Sequence, residues 1–253
     1  MKIGYFIGPA GSGKSHMTGA LYSWMNQVEM EVITVNLDPA VVRLPYSPMI
    51  DIREFISYDE MVDKFELGPN GAIIATMDQV ALRIDEVIAE LQEFDSEYVL
   101  IDLPGQLETF AYRASGPLIL NELGKENKIA GVFLVDPILC TTASSFISVL
   151  MLGSSIKYRL NTALRFVISK GDTVSPERVQ QIDDWMEYPD FILDALRSEP
   201  GILNADLSLR IADILVQEET YGNFPLISSQ TNENIDLAFG ELQRIWDTED
   251  LFS

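Results

Sequence analysis

Short apolar runs alternate with longer stretches of helical spacing along this chain. Met1–Ile7 is a continuous apolar run of strand length, and in His16–Val28 the residues Met17, Leu21, Trp24, Met25 and Val28 form one apolar stripe. Glu31–Asn36 is again strand-like, so the chain opens as strand, helix, strand with a parallel pair. Pro39, Pro45 and Pro48 then predict an irregular segment of the kind that covers a ligand. Ile52–Leu67 reads as partly helical, anchored by Phe55, Met61, Val62 and Phe65, and stops at the breaker Gly68-Pro69-Asn70-Gly71. Ala72–Phe94 predicts one long helix, and Tyr98–Ile101 a buried strand ending at Asp102. A helix follows between Leu107 and Leu123, then a strand at Ala130–Val135. Thr142–Leu160 is an unusually apolar helix, read as core before partner surface. Arg165–Ile168 is a strand, and Ser175-Pro176 supplies a cap and a first-turn proline for the next helix. Residues 176–220 read as a helical insertion broken at Pro189 and around Pro200-Gly201, followed by a last short strand Phe224–Ile227 and a closing helix Ile235–Trp246. The pattern predicts one α/β domain over 1–253, a three-layer, doubly wound and mostly parallel sheet with helical insertions.

Composition narrows the functions this fold can carry. The chain has 253 residues, 47% of them hydrophobic, enough for a full core. Its formal charge of -22 opposes direct grip on nucleic acid or an anionic membrane. One cysteine, Cys140, excludes an intrachain disulfide, fits a reducing compartment and reads as a buried thiol. With one histidine, His16, a structural zinc site or a Ser-His-Asp triad is not expected, and His16 reads as packing. The apolar start runs into polar loop residues without a signal-peptide pattern, and Ser145–Ser154 is too short to span a bilayer. A cytoplasmic protein is expected.

Gly8-Pro9-Ala10-Gly11-Ser12-Gly13-Lys14-Ser15 fits G-x-x-x-x-G-K-[ST] between the first strand and the first helix, the context a phosphate-binding P-loop requires. Its glycines allow positive φ and close backbone approach. The amides of Gly11, Ser12, Gly13, Lys14, Ser15 and His16 then form an anion nest at a helix N-terminus. Lys14 would bridge the β- and γ-phosphates, and the Ser15 hydroxyl would hold Mg²⁺.

Three further segments address the base and the reaction. Asp102-Leu103-Pro104-Gly105-Gln106 places an acid at a strand end, where Asp102 would bind Mg²⁺. The Gly105 amide would approach the γ-phosphate, and Gln106 would orient the attacking water. Ser169-Lys170-Gly171-Asp172 follows a strand as N-K-x-D does in GTPases. The two oxygens of Asp172 match the N1-H and N2-H₂ donors of guanine, whereas adenine presents an acceptor at N1. Lys170 would lie along the base plane, and Ser169 replaces the usual asparagine. Ser228-Ser229-Gln230 after the last strand puts the Ser229 amide where it would meet guanine O6.

With Gly68-Pro69-Asn70 set between the P-loop and Asp102-Leu103-Pro104-Gly105-Gln106-Leu107-Glu108, the chain resembles the GPN-loop GTPases. Asn36-Leu37-Asp38-Pro39-Ala40 and Asp51-Ile52-Arg53-Glu54 also resemble segments of that family, and the likeness covers nearly the whole length, in the manner of an archaeal-type single-domain member. The resemblance implies a homodimer with facing guanine-nucleotide sites. Asn70 would reach in trans towards the γ-phosphate and water, and Asp38 would act as the effector-loop acid near Mg²⁺. Glu108 would orient Gln106 or its water. Arg53 is the nearest arginine for charge stabilisation, with a structural ion pair as the alternative. The expected activity is Mg²⁺-dependent hydrolysis of GTP to GDP and phosphate, driving a dimeric switch that assembles a protein complex. Related eukaryotic proteins are associated with RNA polymerase assembly. A GTP-binding client module with little turnover is one rival. A P-loop kinase is the other, disfavoured by the sparse Arg178, Arg197, Arg210 and Arg244.

Overall fold

The structure is a computed structural model that describes residues 1–66, 68–200, 205–217 and 224–250. Six strands form one sheet: β1 (Lys2–Ile7), β2 (Val32–Asn36), β3 (Ile50–Asp51), β4 (Tyr98–Asp102), β5 (Lys128–Val135) and β6 (Leu164–Ile168). The strand order is β3-β2-β4-β1-β5-β6, and every adjacent pair is parallel. The sheet is therefore wholly parallel where the pattern predicts mostly parallel.

The helices are α1 (Lys14–Gln27), α2 (Ile52–Phe55), α3 (Tyr58–Phe65), α4 (Pro69–Leu82), α5 (Ile84–Leu91), α6 (Leu107–Phe110), α7 (Ser115–Gly124), α8 (Ala143–Leu160), α9 (Pro176–Glu187), α10 (Pro189–Ser198), α11 (Ala205–Gln217) and α12 (Ile235–Asp250). Strand alternation divides the core between the two faces of the sheet. Phe6, Leu100, Val132, Leu134 and Val167 pack with Met17, Leu21 and Met25 of α1 and Leu242 and Trp246 of α12. Ile3, Tyr5, Ile7, Val99, Ile101 and Phe133 face the other way, towards α4, α5, α7 and α8. The Trp246 indole also donates to the Ile3 carbonyl at 3.4 Å, which satisfies its buried N–H.

The structure corrects four elements of the sequence reading. The predicted helix Ala72–Phe94 is two helices meeting at Arg83, whose φ of -113° and ψ of 14° leave the helical region. At this break the Arg83 guanidinium is held by the distant Phe55 carbonyl and by the local Glu86 carboxylate, contacts that apolar periodicity does not register. The preceding helix does stop before Gly68, but Gly68 caps α4 and Pro69 is its first position, so that helix starts three residues before the predicted Ala72. The 107–123 helix is likewise two, α6 and α7. Phe224–Ile227 forms only a bridge between Leu226 and Ile168, since Pro225 has no N–H to extend a ladder. The break expected at Pro200-Gly201 and part of the stretch to 220 lie outside the described residues.

Register sets up the site. Phe6 and Asn36 both pair with Asp102, so β1, β2 and β4 end level with one another. Their exits, at Gly8, Asp38 and Gly105, emerge side by side at the carboxyl edge, where open parallel sheets bind ligands.

Candidate nucleotide site

The P-loop takes its shape from two left-handed glycines, Gly11 at φ 78° and Gly13 at φ 95°. Gly8 is needed for a different reason: a Cβ there would sit 2.8 Å from Ser12 Oγ and 2.9 Å from the Leu134 carbonyl oxygen. Gly13 is the N-cap of α1, which has no side-chain cap and no acidic residue in its first turn. The first-turn amides are thus left for an external anion. Ser12 and Lys14 are buried, while His16 is exposed on α1 and not packed as expected.

The Lys14 ammonium donates to the carbonyls of Gly8 at 3.0 Å, Pro9 at 3.0 Å and Gly105 at 3.1 Å. Burial lowers its pKa to about 8, against the attraction of Asp102 and Asp38. Charged phosphate oxygens are stronger acceptors than these carbonyls. Gly105 is gripped from both ends, because its N–H also donates to Asp38 Oδ2 at 3.2 Å. Asp38 Oδ1 accepts from the Ala40 amide at 3.0 Å, and burial raises the Asp38 pKa despite both bonds. The structure therefore joins Lys14, Gly105 and Asp38 into one cluster under the P-loop.

Asp102 is fully buried at the end of β4. Its Oδ2 accepts from the Tyr46 hydroxyl at 3.2 Å, whereas Oδ1 has no hydrogen-bond partner. Burial pushes its pKa up to about 6, opposed by the neighbouring Ser15 hydroxyl. A buried carboxylate with an unpaired oxygen beside a serine hydroxyl fits a divalent cation, whose charge would offset the desolvation. Among the described residues no three His, Cys, Asp or Glu side chains cluster as metal ligands. Mg²⁺ at a nucleotide needs only one or two protein oxygens, because phosphates and waters complete its shell.

Gln106 caps α6 and is half-buried beside Gly105; the Glu108 side chain lies outside the described residues. Asn70 is exposed in the first turn of α4. Arg53 is held by Asp51, with Nε to Oδ1 at 2.9 Å and Nη2 to Oδ2 at 2.5 Å, and by the Val41 carbonyl at 2.9 Å. Burial would raise the Asp51 pKa, but Arg53 and the Asn36 amide hold it below the usual range. Of the two roles open to Arg53, the structure shows the ion pair.

At the other end of the edge, the Ser228 hydroxyl donates to Asp172 Oδ1 at 2.6 Å and accepts from the Thr231 amide at 3.1 Å. The Gly171 amide donates to the Ile227 carbonyl at 3.0 Å, tying the two loops together. Ser229 follows Ser228 on that loop and is half-buried. Lys170, at φ 57°, pairs with Asp136 Oδ2 at 2.7 Å. Ser169 donates to the Val135 carbonyl at 3.2 Å, so the shortened side chain still tethers its loop. Sequence reasoning missed Tyr46, Ser228 and Asp136. Asp136-Pro137 carries the same signal as Asp102, an acid where a buried strand ends.

A family model described as "Conserved hypothetical ATP binding protein" matches residues 6–247. A Pyrococcus abyssi GPN-loop GTPase is 31% identical over 199 residues, 78% of each chain. The chain belongs to the GPN-loop GTPase family. GPN-loop GTPase 1 of Dictyostelium discoideum is 30% identical over 241 residues, covering 93% of this chain, which spans only 59% of that relative's length. The solved Pyrococcus abyssi GTPase in apo form superposes with a TM-score of 0.84 at 27% identity, covering 96% of this chain and 97% of that one. The wholly parallel sheet and P-loop of this family member are thus those of a GPN-loop GTPase over nearly the whole chain.

Proposed function

We propose that this chain is an Mg²⁺-dependent GTPase that works as a homodimeric switch in assembling a protein complex. The observation that carries the reading is the convergence of Lys14, Ser15, Asp102 and the Gly105-Gln106 loop at one end of a sheet edge, with Asp172 at the other. The nest and Lys14 would hold the phosphates, and Asp172 would read guanine through paired donors. Ser15 and Asp102 would hold the cation, which when bound supplies charge neutralisation across the β- and γ-phosphates. Gln106 would orient water for in-line attack on the γ-phosphorus as the bond to the bridging oxygen breaks.

The switch reading rests on Gly105. Its carbonyl is bound to Lys14 and its amide to Asp38. A γ-phosphate competes for Lys14 and for that amide, so its arrival and loss would rearrange the loop that leads into Gln106 and α6. Among the described residues no helix is long and apolar enough to cross a membrane.

Phosphate release with GTP and with ATP, from wild type and from Gln106→Ala, tests the proposal. GTP is expected to be preferred, and the variant to be slower by roughly a hundredfold. Preference for ATP would overturn the base reading. Undiminished release from the variant would remove Gln106 from catalysis.

A further inference from the structure

We propose that Tyr46 is a positioning residue that aims the Asp102 carboxylate at its cation, an inference that rests on the metal role given to Asp102 above. The hydroxyl of Tyr46 donates to Asp102 Oδ2 at 3.2 Å, and Oδ1 of the same carboxylate is buried without a partner. A carboxylate held at one oxygen cannot swing freely about its last torsion, so the other oxygen keeps a fixed direction. Donors of this kind, one step behind a metal ligand, set the ligand's orientation, and their removal costs roughly 10- to 100-fold in metal affinity.

The ring of Tyr46 is seated independently of its hydroxyl. It lies against Gly19 of α1, where an added Cβ would be 3.3 Å from Tyr46 Cδ1 and 3.5 Å from Tyr46 Cβ. Gly19 is one helical turn beyond Ser15, on the same side of α1. The proline-interrupted segment between β2 and β3 thus lays one aromatic ring along the helix that carries the hydroxyl ligand and delivers a donor to the carboxylate ligand. Tyr46 thus bonds one of the two residues that would share the cation and packs one helical turn beyond the other.

Tyr46→Phe keeps the ring and removes only the donor. Binding of a fluorescent GDP analogue is measured in EDTA and across a Mg²⁺ titration, with Mn²⁺ binding followed in parallel by electron paramagnetic resonance. Affinity in EDTA is expected to stay within about twofold of wild type, while half-saturating Mg²⁺ and Mn²⁺ rise by about tenfold. Gly19→Ala, which presses on the ring, is expected to move the metal dependence in the same direction by less. Unchanged half-saturation in Tyr46→Phe would overturn the proposal and leave the ring as packing. A matching loss of affinity in EDTA would overturn it too, because the hydroxyl would then serve the loop fold and not the metal. Asp102→Asn separates the two levels of inference. If it leaves Mg²⁺ dependence unaltered, the metal role of Asp102 fails and the Tyr46 proposal with it; if it abolishes that dependence, the result for Tyr46 stands alone.

Discussion

Ser228 and Asp172 lie 56 residues apart, yet a 2.6 Å bond joins the serine hydroxyl to the aspartate. Ser228 is 1% exposed, so it adds little surface for a ligand and would act on one only through Asp172. It occupies Oδ1, and would thereby fix the plane in which the carboxylate, as proposed, meets guanine. A hydrogen bond to a charged acceptor is worth about 1.5–3 kcal/mol. Ser228→Ala is expected to weaken guanine-nucleotide binding by about tenfold or more while leaving adenine-nucleotide binding nearly unchanged. Titration of fluorescent GDP and ADP analogues checks this, and equal losses for both would show a general loop defect. Cys140 marks the opposite case at this scale. Burial pushes its thiol up to about 12, and its Sγ lies 3.5 Å from the Asp136 carbonyl oxygen, so it belongs to the core, as its apolar surroundings in the sequence imply.

Elements meet where side chains are missing as much as where they are large. Gly153 in α8 lets the helix press on β6: a Cβ there would fall 2.2 Å from Phe166 Cε1 and 2.5 Å from Cζ. Phe166 is itself packed between Phe133 and Phe224, so it has little room to yield. Gly153→Ala is expected to lower stability by about 1–3 kcal/mol, despite alanine's higher helix propensity, as read from urea unfolding. A gain in stability would show that the α8–β6 contact is looser than its geometry. The same pair shows what local pattern reveals. Thr142 capping and the apolar spacing of α8 are visible in the chain, and so are Ser175-Pro176 at α9 and the strand–loop–helix of the P-loop. The bend at Arg83 is not, because the apolar spacing runs through it unbroken and the Arg83 side chain bonds to Phe55, 28 residues away. Strand β3 is two residues long, too short to carry a period. The phosphate and base loops were legible because each packs its chemistry into four to eight contiguous residues. The bonds of Tyr46 and Ser228 were not, because they form only once the fold brings these residues to Asp102 and Asp172.

At the scale of the whole molecule, Arg53, the arginine the sequence offers for charge stabilisation, is paired with Asp51 and leaves that contribution to be supplied elsewhere. The resemblance assigns the missing contribution to Asn70 of a second copy. The geometry of α4 supports that role: Pro69 fixes the first helical position, and the helix starts without a side-chain cap or a first-turn acid. Asn70 is exposed there, where an amide can donate to phosphate and accept from water. Asn70→Ala is expected to lower GTP turnover by at least about tenfold with nucleotide affinity nearly intact, since the loss falls on the transition state and not on ground-state binding. Mixing Asn70→Ala with Lys14→Ala should then regain activity, because in a heterodimer one site has both its own Lys14 and the partner's asparagine. Association must also overcome the repulsion between two chains of net charge -22. Screening over about 10 Å at 0.1 M salt weakens that repulsion, so dimerisation should strengthen with ionic strength. Light scattering with a GTP analogue at low and moderate salt tests the association, and the mixing assay tests the site. A monomer under both conditions would remove the shared site. A dimer whose mixed variants stay inactive would place Asn70 in its own chain's site instead.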